Sequence, residues 1–207
     1  MNNLEYLNSI SAPARPAKPQ SKGISGGLVL KLLAAAVVVL VAIFGLSAIQ
    51  NNSTAKATDL ARQLYLRMNN VSSLISRYNS SLKSSQLRSI NYSLSGTLTG
   101  SIAQLGNYLN STKGKNEKDI SPSAAVATSE GLFINDSLAT LDNAKLNGIL
   151  DRYYVAQIHM QVSLLLALAS ELAARDHTPA LNEILGSLHS NLTVIEEAIT
   201  NYSTRAN

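Results

Sequence analysis

Residues 178–202, TPALNEILGSLHSNLTVIEEAITNY, carry apolar side chains at Leu181, Leu185, Leu188, Leu192, Ile195, Ile199 and Tyr202. Steps of four and three alternate without a break. All seven therefore fall on one side of an α-helix, with the polar residues on the other. Thr178-Pro179 opens the segment with a capping hydroxyl, then a proline at the first helical position, where its missing N–H is not needed.

The same step runs upstream. From Lys145 to Arg175, Leu146, Leu150, Tyr153, Tyr154, Ile158, Val162, Leu165, Leu168 and Leu172 line a wide apolar face. Its centre, LLLALA, is flanked closely by Gln157, His159, Gln161 and Glu171, and reads as too short to cross a membrane. Residues 54–80 place Leu60, Leu64, Met68, Val71, Ile75, Tyr78 and Leu82 on one stripe. Residues 84–111 do the same with Leu87, Ile90, Leu94, Leu98, Ile102, Leu105 and Leu109. The polar joint Asn79-Ser80-Ser81 predicts an antiparallel hairpin. After the charged stretch STKGKNEKDI, Ser121-Pro122 predicts the start of a short helix ending at Gly131, while residues 132–144 show no clear period. Two hairpins joined by a longer crossing segment make an all-α, antiparallel four-helix bundle over residues 50–207.

The segments LDNAKLNGILDRYYVAQI (141–158) and HTPALNEILGSLHSNLTVIEEAI (177–199) resemble the second half of an uncharacterised family of exported bacterial domains with a ferritin-like bundle. The resemblance rests on Asp151 and Tyr154 as Asp-x-x-Tyr and on the helix break near Pro179. It implies a ferritin-like up-down arrangement. The family pattern places a His on each of the last two helices, whereas this chain has Val162 and Ile195 near those positions.

Composition narrows the chemistry. The chain has 207 residues and no cysteine, which removes disulfides, thiolate metal sites and cysteine nucleophiles. It has no Trp, and Phe133 is the only Phe beyond residue 50. A net charge of +4, scattered along the chain, gives no nucleic-acid footprint.

Leu32 to Ile49, LLAAAVVVLVAIFGLSAI, holds no charge. Counted from Leu28, the apolar stretch rises ~33 Å as a helix, enough for a bilayer core, with Lys31 able to snorkel to the headgroups. A cleaved signal peptide is the rival reading. The 27-residue, proline-rich segment before the stretch and the distance to Ala55-Lys56-Ala57 favour an uncleaved anchor through Leu28–Ile49 in the lipid bilayer. Arg15, Lys18, Lys22 and Lys31, opposed by Glu5, place the N-terminus in the cytoplasm and the bundle outside it, in the cell membrane. The tail SAPARPAKPQSKGISGG (11–27) has Pro13, Pro16 and Pro19 at the polyproline II repeat, and reads as a solvated basic tail or a docking strip.

A di-iron bundle needs inward glutamates and two Glu-x-x-His motifs. No Glu-x-x-His occurs, and residues 54–111 hold one acid, Asp59. No cofactor, catalytic or metal site is expected. Asp151, Tyr154, Gln157 and His159, on neighbouring turns of one helix, form the best polar cluster, with a hydrogen-bonded helix edge as the plainer reading. Gly96 and Gly100 stand one turn apart and could admit another backbone, as in a homo-oligomer.

Charge divides along the domain. Residues 51–112 carry Lys56, Arg62, Arg67, Arg77, Lys83 and Arg88 against Asp59, while residues 121–207 are acidic. Either the halves attract each other, or the basic hairpin leans on anionic headgroups, the expectation preferred here. Asn-x-Ser/Thr triplets are frequent beyond the anchor, including those at Asn52, Asn70, Asn79, Asn91, Asn110, Asn135, Asn191 and Asn201, and absent before it. The leading functional expectation is a membrane-anchored, non-enzymatic interaction or cell-envelope module with a protein partner. Its rivals are a ferritin-like metal or redox protein and a pilin-like subunit processed at Lys22-Gly23.

Overall fold

The computed structural model describes residues 53–112 and 120–205, all of which lie beyond the expected anchor at 28–49. That anchor, the basic tail and the Lys22-Gly23 junction fall outside the described residues. Five α-helices are present: α1 (Ser53–Tyr78), α2 (Ser85–Thr112), α3 (Ala124–Leu146), α4 (Leu150–Arg175) and α5 (Pro179–Arg205), with a 3-10 turn at Asn79–Ser81. Among the described residues there is no strand.

Helices α1, α2, α5 and α4, taken in that order, close a ring: α1 packs on α2, α2 on α5, α5 on α4, and α4 on α1. Neighbours run antiparallel. Tyr78 at the end of α1 meets Tyr154 near the start of α4, and Tyr108 near the end of α2 meets Asp176 before α5. Helix α3 lies outside the ring, packed mainly against α1 and α4. It runs parallel to α1, because Asp59 reaches Ser123 at one end and Arg77 reaches Asp142 at the other.

The stripes read from the sequence fill the ring. Leu64, Met68, Leu94, Leu98, Leu105, Ile158, Val162, Leu165, Leu181 and Leu192 are fully enclosed. Each such side chain contributes roughly 1.5–3 kcal/mol relative to an exposed one, which explains why the four helices with the cleanest period form the closed unit. Helix α4 is long and apolar enough, by length and composition, to cross a membrane. The expectation drawn from LLLALA alone missed this, because Val155, Ala156, Ile158, Met160 and Val162 extend the apolar run. Tyr154, Ile158, Val162, Leu165 and Leu172 are buried against the other helices, so packing within the ring accounts for that composition.

Helix boundaries depart from expectation where two glycines were misweighed. Helix α3 continues through Gly131 to Leu146; an interior glycine costs about 1 kcal/mol but does not by itself stop a helix. The helix ends at Asn147-Gly148, inside the segment read as the first turns of α4. Gly148 has φ of 71°, its N–H bonds the Lys145 carbonyl at 3.1 Å, and the Ile149 N–H bonds the Ala144 carbonyl at 3.0 Å. This is the Schellman pattern, in which a left-handed residue folds the chain back onto the last carbonyls. Leu146 and Tyr153, read as core, are consequently 85% and 46% exposed. The start of α3 also shifts. Ser123, rather than Ser121, precedes the first helical residue, and its hydroxyl binds Asp59 instead of capping its own helix.

Gly96 and Gly100 face open space, with nothing but their own helix's backbone near where a Cβ would stand. The close approach in α2 is at Gly106, whose Cβ would lie 3.1 Å from Tyr65 Cε2. Gly96→Ala and Gly100→Ala are therefore expected to raise unfolding free energy by about 1 kcal/mol each. Gly148→Ala should lower it by ~1–2 kcal/mol. Denaturant melts of the three variants check the signs.

Candidate functional site

A polar seam runs where α3 meets the ring, and its residues come from α1, α3 and α4. At its centre is a buried ion pair. Arg67 Nη2 lies 2.6 Å from Glu130 Oε1, with the two side chains 5% and 2% exposed. Arg67 Nε donates to the same oxygen at 3.3 Å, and Gln63 Nε2 donates at 2.8 Å. The guanidinium also sits over the Phe133 ring, 4.5 Å from its centroid. Arg67 Nη1 is buried without a hydrogen-bond partner.

Two turns along α3, the Ser137 hydroxyl donates to the Phe133 carbonyl at 3.0 Å and accepts from Gln157 Nε2 (2.5 Å) and Gln161 Nε2 (3.3 Å). At the far end Tyr78 donates to Asp142 Oδ1 at 2.6 Å, and Arg77 Nη2 donates to Asp142 Oδ2 at 2.7 Å. Burial pushes the Tyr78 phenol up to about 12, and its hydrogen bond to Asp142 adds to the shift. The same bond, reinforced by Arg77, lowers the Asp142 carboxyl below its usual range. Beside them Tyr154 is enclosed, its phenol raised by burial, and its hydroxyl donates to Asn91 Oδ1 at 2.9 Å.

The four residues expected to cluster do not form one site. Asp151 accepts the backbone N–H groups of Lys83 and Ser84 at 3.0 and 2.7 Å, clamping the α1–α2 connection. Tyr154 points into the core toward Asn91. Gln157 turns toward Ser137 on α3. His159 faces the other way, with Nε2 3.7 Å from Glu196 Oε1 on α5. Sequence proximity on one helix placed them together, but their bearings around the axis of α4 separate them.

The seam residues that sequence reasoning missed are Arg67, Glu130 and Ser137. Glu130 lies at the end of the short helix expected before Gly131, for which no apolar stripe was read, so nothing in its neighbourhood marked it as buried. A charged residue at 67, one position from Met68 on the α1 stripe, was the available signal.

The other histidines, His177 and His189, are exposed. His177 adjoins a hollow of about 520 Å³ with Tyr108, Arg175 and Asp176. Hydrogen bonds from the Thr178 hydroxyl and N–H, and then from Tyr108, lower the Asp176 carboxyl. Among the described residues no three His, Cys, Asp or Glu side chains are grouped to hold a metal. Val162 and Ile195, where the resembling family carries histidines, are both buried hydrocarbon. The expected lean of basic residues on lipid is also met by competition. Arg67 is enclosed with Glu130, and Arg77, ~36 Å of helix from Ser53, is paired with Asp142.

No family model, curated protein or solved structure matches this chain.

Removing one member of a buried pair leaves an uncompensated charge, so Arg67→Ala and Glu130→Ala should each cost about 3–5 kcal/mol. The Arg67→Met, Glu130→Leu double variant should recover most of that loss. A double-mutant cycle from denaturant melts measures both.

Tyr78 and Asp142 set opposite pH limits. An acid with a depressed folded pKa stabilises above its unfolded value and loses that contribution as pH falls through the folded value. A phenol with a raised folded pKa stabilises below its unfolded value and loses that contribution as pH rises through the folded one. Stability should therefore fall below about pH 4, the ordinary aspartate range, and again between about pH 10 and about 12, where Tyr78 titrates. Asp142→Asn should flatten part of the acid limb and Tyr78→Phe part of the alkaline limb, read by circular dichroism.

Proposed function

We propose that the chain is a membrane-tethered, non-enzymatic helical-bundle module, displayed outside the cytoplasm and working by binding a protein partner. The observation that carries this reading is where the domain's carboxylates go. Asp59 ties α1 to Ser123, Glu130 ties α3 to Arg67, and Asp142 ties α3 to Arg77 and Tyr78. Asp151 holds the α1–α2 turn, Asp176 holds Thr178 before α5, and Glu196 accepts from Ser163 of α4 at 2.6 Å. A general acid or base must keep a lone pair or proton free for substrate. These six are engaged in joining elements, which favours a scaffold over a catalyst.

The anchor belongs to the same reading. Leu28–Ile49 is the apolar stretch, uncharged from Leu32 onward, and only three residues separate Ile49 from Ser53 at the start of α1. On this reading the basic residues on the N-terminal side of the anchor keep that end in the cytoplasm.

The pairing of α1 with α2 and α4 with α5, each neighbour antiparallel, supports the ferritin-like arrangement the sequence suggested, with α3 as the crossing segment. It favours the fold of that family without its metal chemistry. The ring interior where bridging carboxylates would stand is filled by Leu64, Met68, Leu98, Val162 and Leu192.

Two measurements test the proposal together. Protease added to intact spheroplasts should digest residues beyond 51 and spare a tag at the N-terminus. Elemental analysis of the detergent-purified chain after gel filtration should find no stoichiometric iron, manganese or zinc. Protection of the bundle would reverse the topology, and a stoichiometric metal would restore the ferritin-like alternative.

A further inference from the structure

We propose that the bundle is N-glycosylated at its exposed Asn-x-Ser/Thr triplets, an inference that rests on the domain lying outside the cytoplasm. Beyond residue 50 the chain has 16 asparagines, and nine have Ser or Thr two places later. Ser and Thr make up 33 of the 157 residues there, so composition alone would give about three such triplets among generic Asn-x-Ser/Thr matches.

The neighbouring spacings act as internal controls. Ser or Thr follows one place later at three of these asparagines and three places later at four. Only the spacing that a glycosyltransferase reads is enriched. The fold offers no competing reason, because residues two apart on a helix do not share a face. No proline occupies the middle position of any triplet, and Asn2, Asn3 and Asn8, before the apolar stretch, have no triplet at all.

The structure sorts the sites. Asn110 on α2, Asn135 on α3, and Asn191 and Asn201 on α5 are exposed. Asn70 and Asn79 are half-buried. Asn91 is 1% exposed, and its Nδ2, the atom that would carry the sugar, donates to Asn79 Oδ1 at 3.2 Å. A glycan on that nitrogen has no room, because Nδ2 is enclosed against Asn79 while Oδ1 of the same amide accepts from Tyr154, so Asn91 is an internal negative site.

The step is a substitution at an anomeric carbon. The Asn amide nitrogen attacks C1 of a polyprenyl-phosphate-linked or pyrophosphate-linked sugar. The C1–O bond breaks, the lipid phosphate leaves with the electron pair, and the amide gives up one proton to a base of the transferase. All the described triplets except the one at Asn79 are helical, and the Ser137 hydroxyl of the Asn135 triplet is enclosed between Gln157 and Gln161. Transfer at Asn135 must therefore precede docking of α3, while the segment is still extended.

The test is mass spectrometry of the full chain purified from its native membranes. The intact mass should exceed the 22.0 kDa polypeptide by several sugar residues. Peptide maps should place glycans at Asn110, Asn135, Asn191 and Asn201, with Asn91 unmodified. Thr193→Ala, which keeps Asn191 but breaks its triplet, should remove the glycan from that site alone. An intact mass equal to the polypeptide overturns the proposal, as does modification that survives Thr193→Ala at Asn191. Protease access to intact spheroplasts separates the two failures. A digested but sugar-free bundle sinks glycosylation and leaves the topology standing, whereas a protected, sugar-free bundle sinks both.

Discussion

A carboxylate enclosed among helices must be compensated, and Glu130 is 1% exposed. Taking such a group out of water costs several kcal/mol, returned only if an opposite charge and further donors meet it in good geometry. Arg67 and Gln63 converge on one of its oxygens, so α3 has one favoured register along α1: the one that brings residue 130 beside residue 67. Asp59 with Ser123 and Arg77 with Asp142 then fall into place above and below, at comparable sequence separations. A one-turn slip of α3 would break all three ties at once. Hydrophobic contact could not enforce this, because Leu141 and Ala144 are the only apolar residues of α3 that are fully buried.

The ring and the outer helix are thus held by different physics. Four helices bury continuous leucine stripes, which tolerate exchange between hydrophobic side chains of similar volume. The fifth is held by directional polar contacts, weaker in sum and specific in register. Local opening draws on the elements with the fewest buried apolar contacts, and here that element is α3. Asp151 and Asp176 extend the directional theme to the turns. Asp151 takes two backbone N–H groups and Asp176 one, each at a helix junction, so the connections are fixed by carboxylates as much as by loop length.

This division explains what could be read in advance. The periodic stripes of α1, α2, α4 and α5 declared helices, and Leu64, Leu94, Leu165 and Leu188 sit where the steps of three and four put them. Helix α3 has almost no periodic stripe, since its inner face alternates Glu130, Ile134, Ser137 and Leu141, and periodicity reads hydrocarbon only. Its end at Asn147-Gly148 was visible as a turn dipeptide but was outweighed by the apolar run on either side. The candidate polar cluster was misread for a related reason. Spacing along α4 gives angular positions but not which neighbour stands at each angle, and Asp151, Gln157 and His159 each meet a different one.

The uneven charge along the sequence follows from the same architecture. Basic residues gather on α1 and α2, and acids on the later helices, because the later elements are the ones laid against the first hairpin. Arg67 and Arg77 each find an acid of α3, and the Lys83-Ser84 backbone finds one at the start of α4. The buried pair and the exposed pair do different work. Arg77 and Asp142 are about half exposed, where such a contact contributes ~0–1 kcal/mol, and their value lies in orienting the Tyr78 hydroxyl. Arg67 has no access to a headgroup while α3 is docked. A charge pattern that looked like a membrane footprint is, at these two arginines, the attachment of one helix to its ring.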